Sequence, residues 1–197
     1  VSWYDCVKWC NARSEKEGRT PVYYTDAAFT QIYKTGRVLE PYVKAAANGY
    51  RLPTDVQWEY AARGGVSSKR FPWGGQTIDH DKANYYSYWS GGVPYYSYDT
   101  GYAGYDTRYN NGVYPYTSPA GSFAANGYGL YDMAGNVFEL CWDWYPGSEG
   151  SARVIRGGTW SGIAGYCRVG SRDDAYPDYA VEIIGFRTVL PPDTTPP

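Results

Sequence analysis

The stretch that most constrains this fold runs from residue 64 to residue 125 and shows no lasting helical or strand periodicity. Gly, Pro, Tyr, Ser, Asn and Asp dominate it. A connection of this length is uncommon inside a compact domain unless it is functional or tied down by its own contacts. The chain must therefore fold around a long irregular segment, and the regular elements on either side must supply the frame.

Two helices and several short strands are predicted on either side of this segment. Ser2 can cap a first helix, which ends between residues 14 and 18. Thr54 and Gln57 have the spacing of a capping box for a second helix, which stops at Gly64. Residues 21–24 are predicted to form a short strand or an extended piece, and short strands are predicted at 129–131, 137–145, 154–157, 166–171 and 185–189.

Aromatic side chains replace the aliphatic core that this chain lacks. The sequence has 24 Tyr, 8 Trp and 5 Phe in 197 residues, with a formal net charge of -2. Tyr and Trp rings bury large areas when their polar tips find partners, and the low net charge argues against disorder. We therefore expect a folded domain with an aromatic-rich core and a tyrosine-rich surface.

Composition excludes several classes of function. No apolar run approaches the roughly 18 residues of a membrane span, and the absence of Lys/Arg blocks argues against nucleic acid as a partner. A single histidine, His80, cannot build a multi-histidine metal site. We expect His80 in a surface loop, where the flanking Asp79 and Asp81 favour its charged form.

The four cysteines, Cys6, Cys10, Cys141 and Cys167, allow three fully paired connectivities. Cys6 and Cys10 lie four residues apart on one helix face, where a bridge between them would be strained. Each is therefore expected to pair with a distant partner or to stay a buried thiol. The even count and the extracellular character of the composition favour at least one disulfide.

Five sequence blocks stand in the order of a known family. They are VSWYDCVKWCN at 1–11, RLPTDVQWEYAARGG at 51–65, FPWG at 71–74, NGYGLYDMAGNVFE at 126–139, and RGGTW at 156–160 followed by GFR at 185–187. Together they resemble the formylglycine-generating enzyme, or sulfatase-modifying factor, domain. The resemblance implies an α+β fold, a variant of the C-type lectin fold with two main helices, short twisted sheets and long irregular loops.

The resemblance covers a single domain, residues 1–190, without the opening strands that usually precede this part of the family domain. Residues 191–197 are predicted to form a Pro/Thr-rich extended tail. Its Thr194 and Thr195 are candidates for O-linked sugar, because Pro-flanked threonines in an extended tail are accessible.

Active members of the family oxidise a substrate cysteine with a copper ion that two cysteines hold shortly after the Arg-Gly-Gly motif. Here residues 159–167 contain only Cys167, and one thiolate cannot do the work of two. Other relatives use an iron site with histidine ligands, and the single histidine of this chain cannot supply such a site. The resemblance therefore predicts a member that lacks the known catalytic sites, and the alternative is an enzyme of the same family with an unrecognised chemistry.

The resemblance also implies calcium at the Gly-Asn-x-x-Glu element, residues 135–139. Asn136 and Glu139 would give side-chain oxygens, and backbone carbonyls such as that of Val137 would complete the six to eight ligands that Ca²⁺ takes. The alternative is that Asn136 caps a turn and Glu139 pairs with an arginine such as Arg156.

A second family calcium site resembles residues 83–85, with Asn84 and Tyr85 as ligands and an acidic residue of the following loop, Asp99, beside them. In both places the expected role of the ion is to order the long irregular segment.

Other charged residues are assigned structural roles. Asp173, Asp174 and Asp178 are predicted to form a solvated acidic loop. Glu59 is expected to pair with an arginine, and Arg187 to satisfy buried carbonyl groups.

Tyrosine is concentrated between residues 85 and 116, which hold 11 of the 24 tyrosines. Tyr and Trp with Ser and Gly form rigid contact surfaces at low entropy cost, although the same rings could bind the segment to its own domain. The predicted contact residues are Tyr85, Tyr86, Tyr88, Trp89, Tyr95, Tyr96, Tyr98, Tyr102 and Tyr105. The sequence thus favours a non-catalytic extracellular or cell-surface module that binds glycan or protein subunits, such as copies of itself in a homo-oligomer, filament or surface layer.

Overall fold

The structure, a computed structural model, describes residues 1–191. Helix α1 spans Trp3–Lys16 and begins with the predicted cap: the Ser2 hydroxyl accepts from the Asp5 amide, and the Asp5 carboxylate accepts from the Ser2 amide. These two bonds satisfy amide groups that a helix start leaves without intrahelical partners. The predicted tail lies outside the described residues from position 192 onward, and so do Thr194 and Thr195.

Helix α2 spans Asp55–Arg63 and confirms the second capping box. The Thr54 hydroxyl accepts from the Gln57 amide at 3.2 Å, and the Gln57 side chain accepts from the Thr54 amide at 3.1 Å. The helix stops at Gly64, whose φ of +56° is the left-handed conformation that glycine adopts without steric cost.

Within residues 1–191, ten short strands form four small sheets. The strands are β1 (Tyr23–Tyr24), β2 (Tyr42–Val43), β3 (Tyr86–Ser87), β4 (Trp89–Ser90), β5 (Val93–Pro94), β6 (Gly104–Tyr105), β7 (Phe138–Trp144), β8 (Arg153–Arg156), β9 (Arg172–Ala175) and β10 (Ile184–Gly185). The largest sheet has the order β10-β7-β8-β9, with β10 parallel to β7 and the other pairs antiparallel. The remaining sheets are the pairs β1-β2, β3-β6 and β4-β5.

Strand predictions at 137–145 and 154–157 are confirmed, whereas those at 129–131 and 166–171 were wrong. Residues 166–171 form successive turns. The carbonyl groups of Val169 and Ser171 accept hydrogen bonds from the Arg156 guanidinium and not from a neighbouring strand. The predicted acidic loop is also corrected in part, because Asp173 and Asp174 belong to strand β9.

Helix α1 packs its apolar face on the largest sheet. Trp3, Cys6 and Val7 of the helix are fully buried in one cluster with Leu140 of β7 and Ile155 of β8. Helix α2 covers the same sheet with Trp58, which is buried in a second cluster. No helix of residues 1–191 is long and apolar enough to cross a membrane.

The irregular segment is tied down by its own aromatic cluster. Phe71, Ile78 and Tyr85 are buried there against Ala134 and Cys167 from the following part of the chain. The segment thus contributes a satellite core of its own, which is how a stretch with so little regular structure stays ordered.

The expected disulfide is absent from the described residues. All four cysteines are free and buried, and they are divided among three separate core clusters. Burial raises the pKa of Cys6 and of Cys167 to about 12, so both are protonated thiols that act as small apolar side chains.

His80 is not a surface residue, and the prediction of a charged loop histidine was wrong. Its side chain is 3% exposed and lies between the rings of Tyr85 and Tyr102, whose centroids are 4.8 and 4.1 Å away. Burial lowers the pKa of His80 although Asp106 and Asp99 act in the opposite direction. Desolvation therefore outweighs the acidic neighbours and favours the neutral form of this histidine.

Acidification below neutral pH will destabilise the domain through His80. Its pKa is lower in the folded state than in the unfolded chain, so the unfolded chain takes up the proton first. Stability that is complete above about pH 6.5 is then lost as pH falls toward the folded-state pKa, by at most about 1.4 kcal/mol per pH unit. Urea unfolding at pH 7.0 and 5.5 measures the loss. His80→Phe keeps a stacked ring that does not titrate, and an equally steep pH dependence in that variant would contradict the assignment.

Candidate functional site

A cleft of about 560 Å³ opens beside the start of strand β7. Its wall combines two carboxylates, an amide, a guanidinium and apolar side chains. The residues that matter for its chemistry are Asp132, Asn136, Val137, Glu139, Phe186 and Arg187. The Gly-Asn-x-x-Glu element therefore does line a cavity, as a binding site requires.

Glu139 is buried and fully engaged with protein groups. Its Oε2 accepts from the Trp58 indole N–H at 2.6 Å and from Arg187 Nε at 2.5 Å, and its Oε1 accepts from Arg187 Nη2 at 2.7 Å. The Arg187 guanidinium also donates to the Tyr131 carbonyl at 3.2 Å. Glu139 thus pairs with an arginine, but the partner is Arg187 and not Arg156.

Asn136 fastens the irregular segment to the start of β7. Its Oδ1 accepts from the Ser118 amide at 2.9 Å and its Nδ2 donates to the Ser118 carbonyl at 3.2 Å. Asn136 has φ +67° and follows Gly135 at φ +75°, where a Cβ would lie 2.3 Å from the Asn84 carbonyl oxygen. The glycine therefore permits the backbone approach that places the asparagine side chain.

Asp132 is a cleft residue that the motif analysis missed. It lies at φ +54°, and its carboxylate accepts from the backbone amides of Gly121 and Phe123. Its position in the sequence could have indicated this, because Asp132 lies in the same block as the Gly-Asn element, three residues before Gly135.

The donors of this cleft fit a calcium ion in part. Asp132 and Glu139 offer hard carboxylate oxygens, and neighbouring backbone carbonyls could complete the shell. The Arg187 guanidinium, however, already contacts both carboxylate oxygens of Glu139. An ion at Glu139 would have to displace this positive charge, whereas Asp132 pairs with no basic side chain within the described residues.

The residues of the second predicted calcium site have different partners. The Asn84 amide donates to the Tyr116 carbonyl at 2.8 Å. The buried Asp99 carboxylate accepts from the Tyr85 hydroxyl, from the Ser87 hydroxyl at 2.9 Å, and from the Gly101 amide at 3.1 Å. Asp99 therefore joins residues 85, 87 and 101 of the irregular segment through hydrogen bonds. No three His, Cys, Asp or Glu side chains of residues 1–191 group closely enough to hold a metal ion.

A network of arginines and carboxylates lies between helix α2 and strands β8 and β9. The fully buried Arg156 pairs with Asp55 and, at 3.0 Å, with Glu59, and Glu59 also pairs with Arg63 at 2.7 Å. Burial alone would raise the pKa of Glu59, but the hydrogen bonds from Arg63 and Arg156 outweigh it and lower that pKa. The predicted pairing of Glu59 with an arginine is thus confirmed.

The nine predicted contact residues fall into three groups. Tyr85 is fully buried and must be withdrawn from the contact surface, because its hydroxyl and ring complete the satellite core. Those that are half-buried are Tyr86, Tyr96, Tyr98 and Tyr105. Those that are exposed are Tyr88, Trp89, Tyr95 and Tyr102.

A chain of ring contacts connects the exposed group with the core. The Tyr95 ring lies 5.6 Å from Tyr88 and 4.9 Å from Tyr96, measured between centroids. Tyr96 stacks on Tyr98 at 4.9 Å, and Tyr98 reaches buried Phe71 at 5.8 Å. The segment therefore holds itself in place through its inner rings and presents its outer rings to solvent.

Comparison with known proteins assigns the family. The sequence profile of the "Sulfatase-modifying factor enzyme 1-like domain" matches residues 1–191. The chain belongs to this family. Its two helices, short sheets and long irregular segment are the α+β fold that the motif blocks implied.

Relatives of this sulfatase-modifying factor domain carry different names. The chain is 36% identical to "Chaperone protein LppX" of Paenibacillus barcinonensis over 81% of its length and 57% of the relative. It is 37% identical to a "Formylglycine-generating enzyme" of Thermomonospora curvata over 73% of its length and 50% of the relative. The structure of "Treponema denticola variable protein 1" superposes with a TM-score of 0.73 and 28% identity, over 98% of this chain and 70% of that one. The chain spans about half the length of the curated relatives it matches.

Cys167 of this sulfatase-modifying factor domain is buried and packed against the Arg-Gly-Gly motif. Gly158 of the Arg-Gly-Gly motif has φ +82°, and a Cβ there would lie 2.9 Å from the Cys167 sulfur. Burial raises the Cys167 pKa to about 12, so the sulfur is a thiol and not the thiolate that binds metal or attacks a substrate. The second glycine of the motif, Gly158, thus leaves the space that the packed cysteine occupies.

Proposed function

We propose that this domain is a non-catalytic binding and assembly module that acts outside the cell or at its surface. Its contact surface consists of the exposed rings of Tyr88, Trp89, Tyr95 and Tyr102. Its partners are protein subunits, including copies of the same chain in a homo-oligomer, filament or surface layer, or glycan. Two of its relatives bear names, a chaperone and a variable protein, that do not denote an enzyme.

The exposure of these rings is the observation that carries the proposal. Tyr95 is 60% exposed and Tyr88 43% exposed, although rings next to them in the chain have found places in the core. Strands β4 and β5 form a separate hairpin that displays Trp89. Aromatic anchors of this kind dominate the energy of protein interfaces, and their faces also stack on sugar rings.

Replacing Tyr88 and Tyr95 together by serine will weaken binding without unfolding the domain. Hot-spot aromatic residues contribute at least about 2 kcal/mol each, so the double variant should lose tenfold or more in self-association or glycan retention. Sedimentation velocity and a glycan array measure the two kinds of partner. The melting temperature should stay close to that of the wild type, because both side chains are exposed.

Tyr96→Ser is the matched control, because Tyr96 is half-buried and stacks on Tyr98. It should lower the melting temperature without a separate binding defect. If the Tyr88 and Tyr95 variant melts as early as Tyr96→Ser and binds normally, these rings only stabilise the fold and the proposed contact surface is wrong. The alternative function, an enzyme with an unrecognised chemistry, would then centre on the cleft of Asp132 and Glu139.

Calcium in this cleft is part of the proposal, with the ion ordering the irregular segment through Asp132, Asn136 and Glu139. Saturating Ca²⁺ should stabilise the domain by about 2.7 kcal/mol at a hundredfold excess over Kd, a rise in melting temperature of roughly 5–10 °C for a chain of this size. Thermal melts with Ca²⁺ and with chelator measure it. Asp132→Asn should abolish the response, and the exposed Asp81→Asn should keep it. Identical wild-type melts in both buffers would exclude the ion.

A further inference from the structure

A second cleft, of about 410 Å³, lies between the loop that follows helix α2 and the turns at 168–171. Basic and neutral polar side chains dominate its wall, and no acidic residue lines it. Its wall includes the side chains of Arg63, Lys69, Arg70, Gln76, Arg168 and Ser171. Four cations in one cleft are unexpected in a chain whose net charge is -2.

Within residues 1–191, three of these four positive charges have no carboxylate partner. Within residues 1–191, Lys69, Arg70 and Arg168 form no ion pair with a carboxylate. Arg63 does pair with Glu59, but Glu59 also serves Arg156. The cleft therefore carries a local excess of positive charge, which attracts an anion from solution.

Two of the guanidinium groups are already fixed in position. The Arg70 Cζ lies 4.1 Å from the centroid of the Tyr98 ring, and its Nη1 donates to the Gln76 carbonyl at 3.0 Å. Arg168 Nε donates to the Gly165 carbonyl at 2.8 Å. Each guanidinium keeps further N–H groups for a ligand, and fixing the side chain beforehand lowers the entropy lost on binding.

The backbone holds the two walls together. The Val169 amide donates to the Arg70 carbonyl at 2.9 Å, so the loop that carries Lys69 and Arg70 is joined directly to the turn that carries Arg168. The same turn is anchored from below by Arg156, which binds the carbonyls of Val169 and Ser171. The cations therefore converge on one volume of fixed shape.

We propose that this cleft binds a phosphate or sulfate ester on a sugar-sized polar group. A tetrahedral oxyanion offers several acceptors that guanidinium N–H groups can bind together, and Lys69 adds a mobile point charge. The side chains of Gln76 and Ser171 suit the hydroxyl groups of the ligand body. The site is distinct from the exposed aromatic rings, so it adds a second ligand class to the function proposed above.

Isothermal titration at low ionic strength tests the site with glucose 6-phosphate, glucose 6-sulfate and glucose. At least one ester should bind saturably and glucose should not, and the tighter of the two esters identifies the oxyanion. Lys69→Gln combined with Arg168→Gln should weaken binding at least tenfold. Lys69 forms no hydrogen bond or ion pair within residues 1–191, and an Arg168→Gln melt shows whether the second change perturbs the fold.

Lys34→Gln combined with Arg37→Gln is the matched control, since it removes the same charges at surface pairs with Glu15 and Asp178. It should leave ester binding unchanged. Failure of both esters to bind, or equal weakening in the control variant, would overturn the proposal. So would loss of self-association in the Lys69 and Arg168 variant without any ester binding, because the cleft would then bind an acidic surface of a second copy.

Discussion

Replacing Arg156 by methionine will lower the free energy of unfolding by about 4 to 5 kcal/mol, near the top of the range for breaking a buried ion pair. The Arg156 side chain is fully buried and contacts the carboxylates of Asp55 and Glu59 together with two backbone carbonyls. Methionine fills much of the space but removes the buried cation between the two carboxylates. Only the half-exposed Arg172, and Arg63 beside Glu59, then remain near them. Urea unfolding followed by circular dichroism measures the loss.

Arg172→Met is the control for this prediction. Arg172 contacts the same two carboxylates, at 3.0 Å for Asp55 and 3.9 Å for Glu59, but its side chain is 40% exposed. Water screens it, so its loss should cost less than about 1 kcal/mol. Arg156→Lys keeps the charge without the guanidinium geometry, so its loss of unfolding free energy should lie between those of the two methionine variants. This variant keeps the comparison measurable if Arg156→Met fails to fold. Equal effects of the Arg156→Met and Arg172→Met changes would contradict the central role of Arg156.

Glu139→Gln will cost about 3 kcal/mol, the lower part of the range for a broken buried pair. The change preserves shape and the acceptor for the Trp58 indole, but it leaves the Arg187 guanidinium without its carboxylate. The lower value is expected because the Arg187 side chain keeps some exposure to water. Thermal and urea unfolding in chelator give the effect of the pair alone.

The double variant Glu139→Gln with Arg187→Met separates this pair from a calcium ion. If the cost of Glu139→Gln comes from an unpaired Arg187, the second change should recover most of it in chelator. If Glu139 makes no stabilising pair and serves only as a calcium ligand, the Glu139→Gln variant should match the wild type in chelator and differ only when Ca²⁺ is added. The latter result would contradict the ion pair as the resting state of the cleft.

Local elements were predicted well where the signal was a short-range hydrogen bond. Ser2 with Asp5, and Thr54 with Gln57, satisfy amides three residues away, so the spacing alone specifies where each helix begins. Gly64 ends α2 because it takes a positive φ that other residues resist. The strand prediction at 166–171 was wrong because the segment forms local turns, and two of its carbonyl groups accept from the distant guanidinium of Arg156.

Residue environments were predicted less well where burial decides the outcome. His80 has acidic neighbours in the sequence, yet it lies between two rings in a satellite core, and desolvation lowers its pKa. The partner of Glu139 is Arg187, 48 residues away, and the pair forms because β10 aligns in parallel with β7. No spacing rule connects such positions, since the approach depends on how separate parts of the chain pack.

The sequence by itself determined the family, the two capped helices, the irregular segment and the lack of a cysteine pair after the Arg-Gly-Gly motif, because each depends on residue type and short spacing. Only the tertiary structure decided which tyrosines are buried and which are exposed. Tyr85 and Tyr95 lie in the same tyrosine-rich stretch and differ only in what packs against them. It also brought Arg70 and Arg168 into one cleft through a backbone hydrogen bond between remote segments. Long-range contacts of this kind arise when desolvation and packing select one arrangement of the whole chain, and no local pattern records that selection.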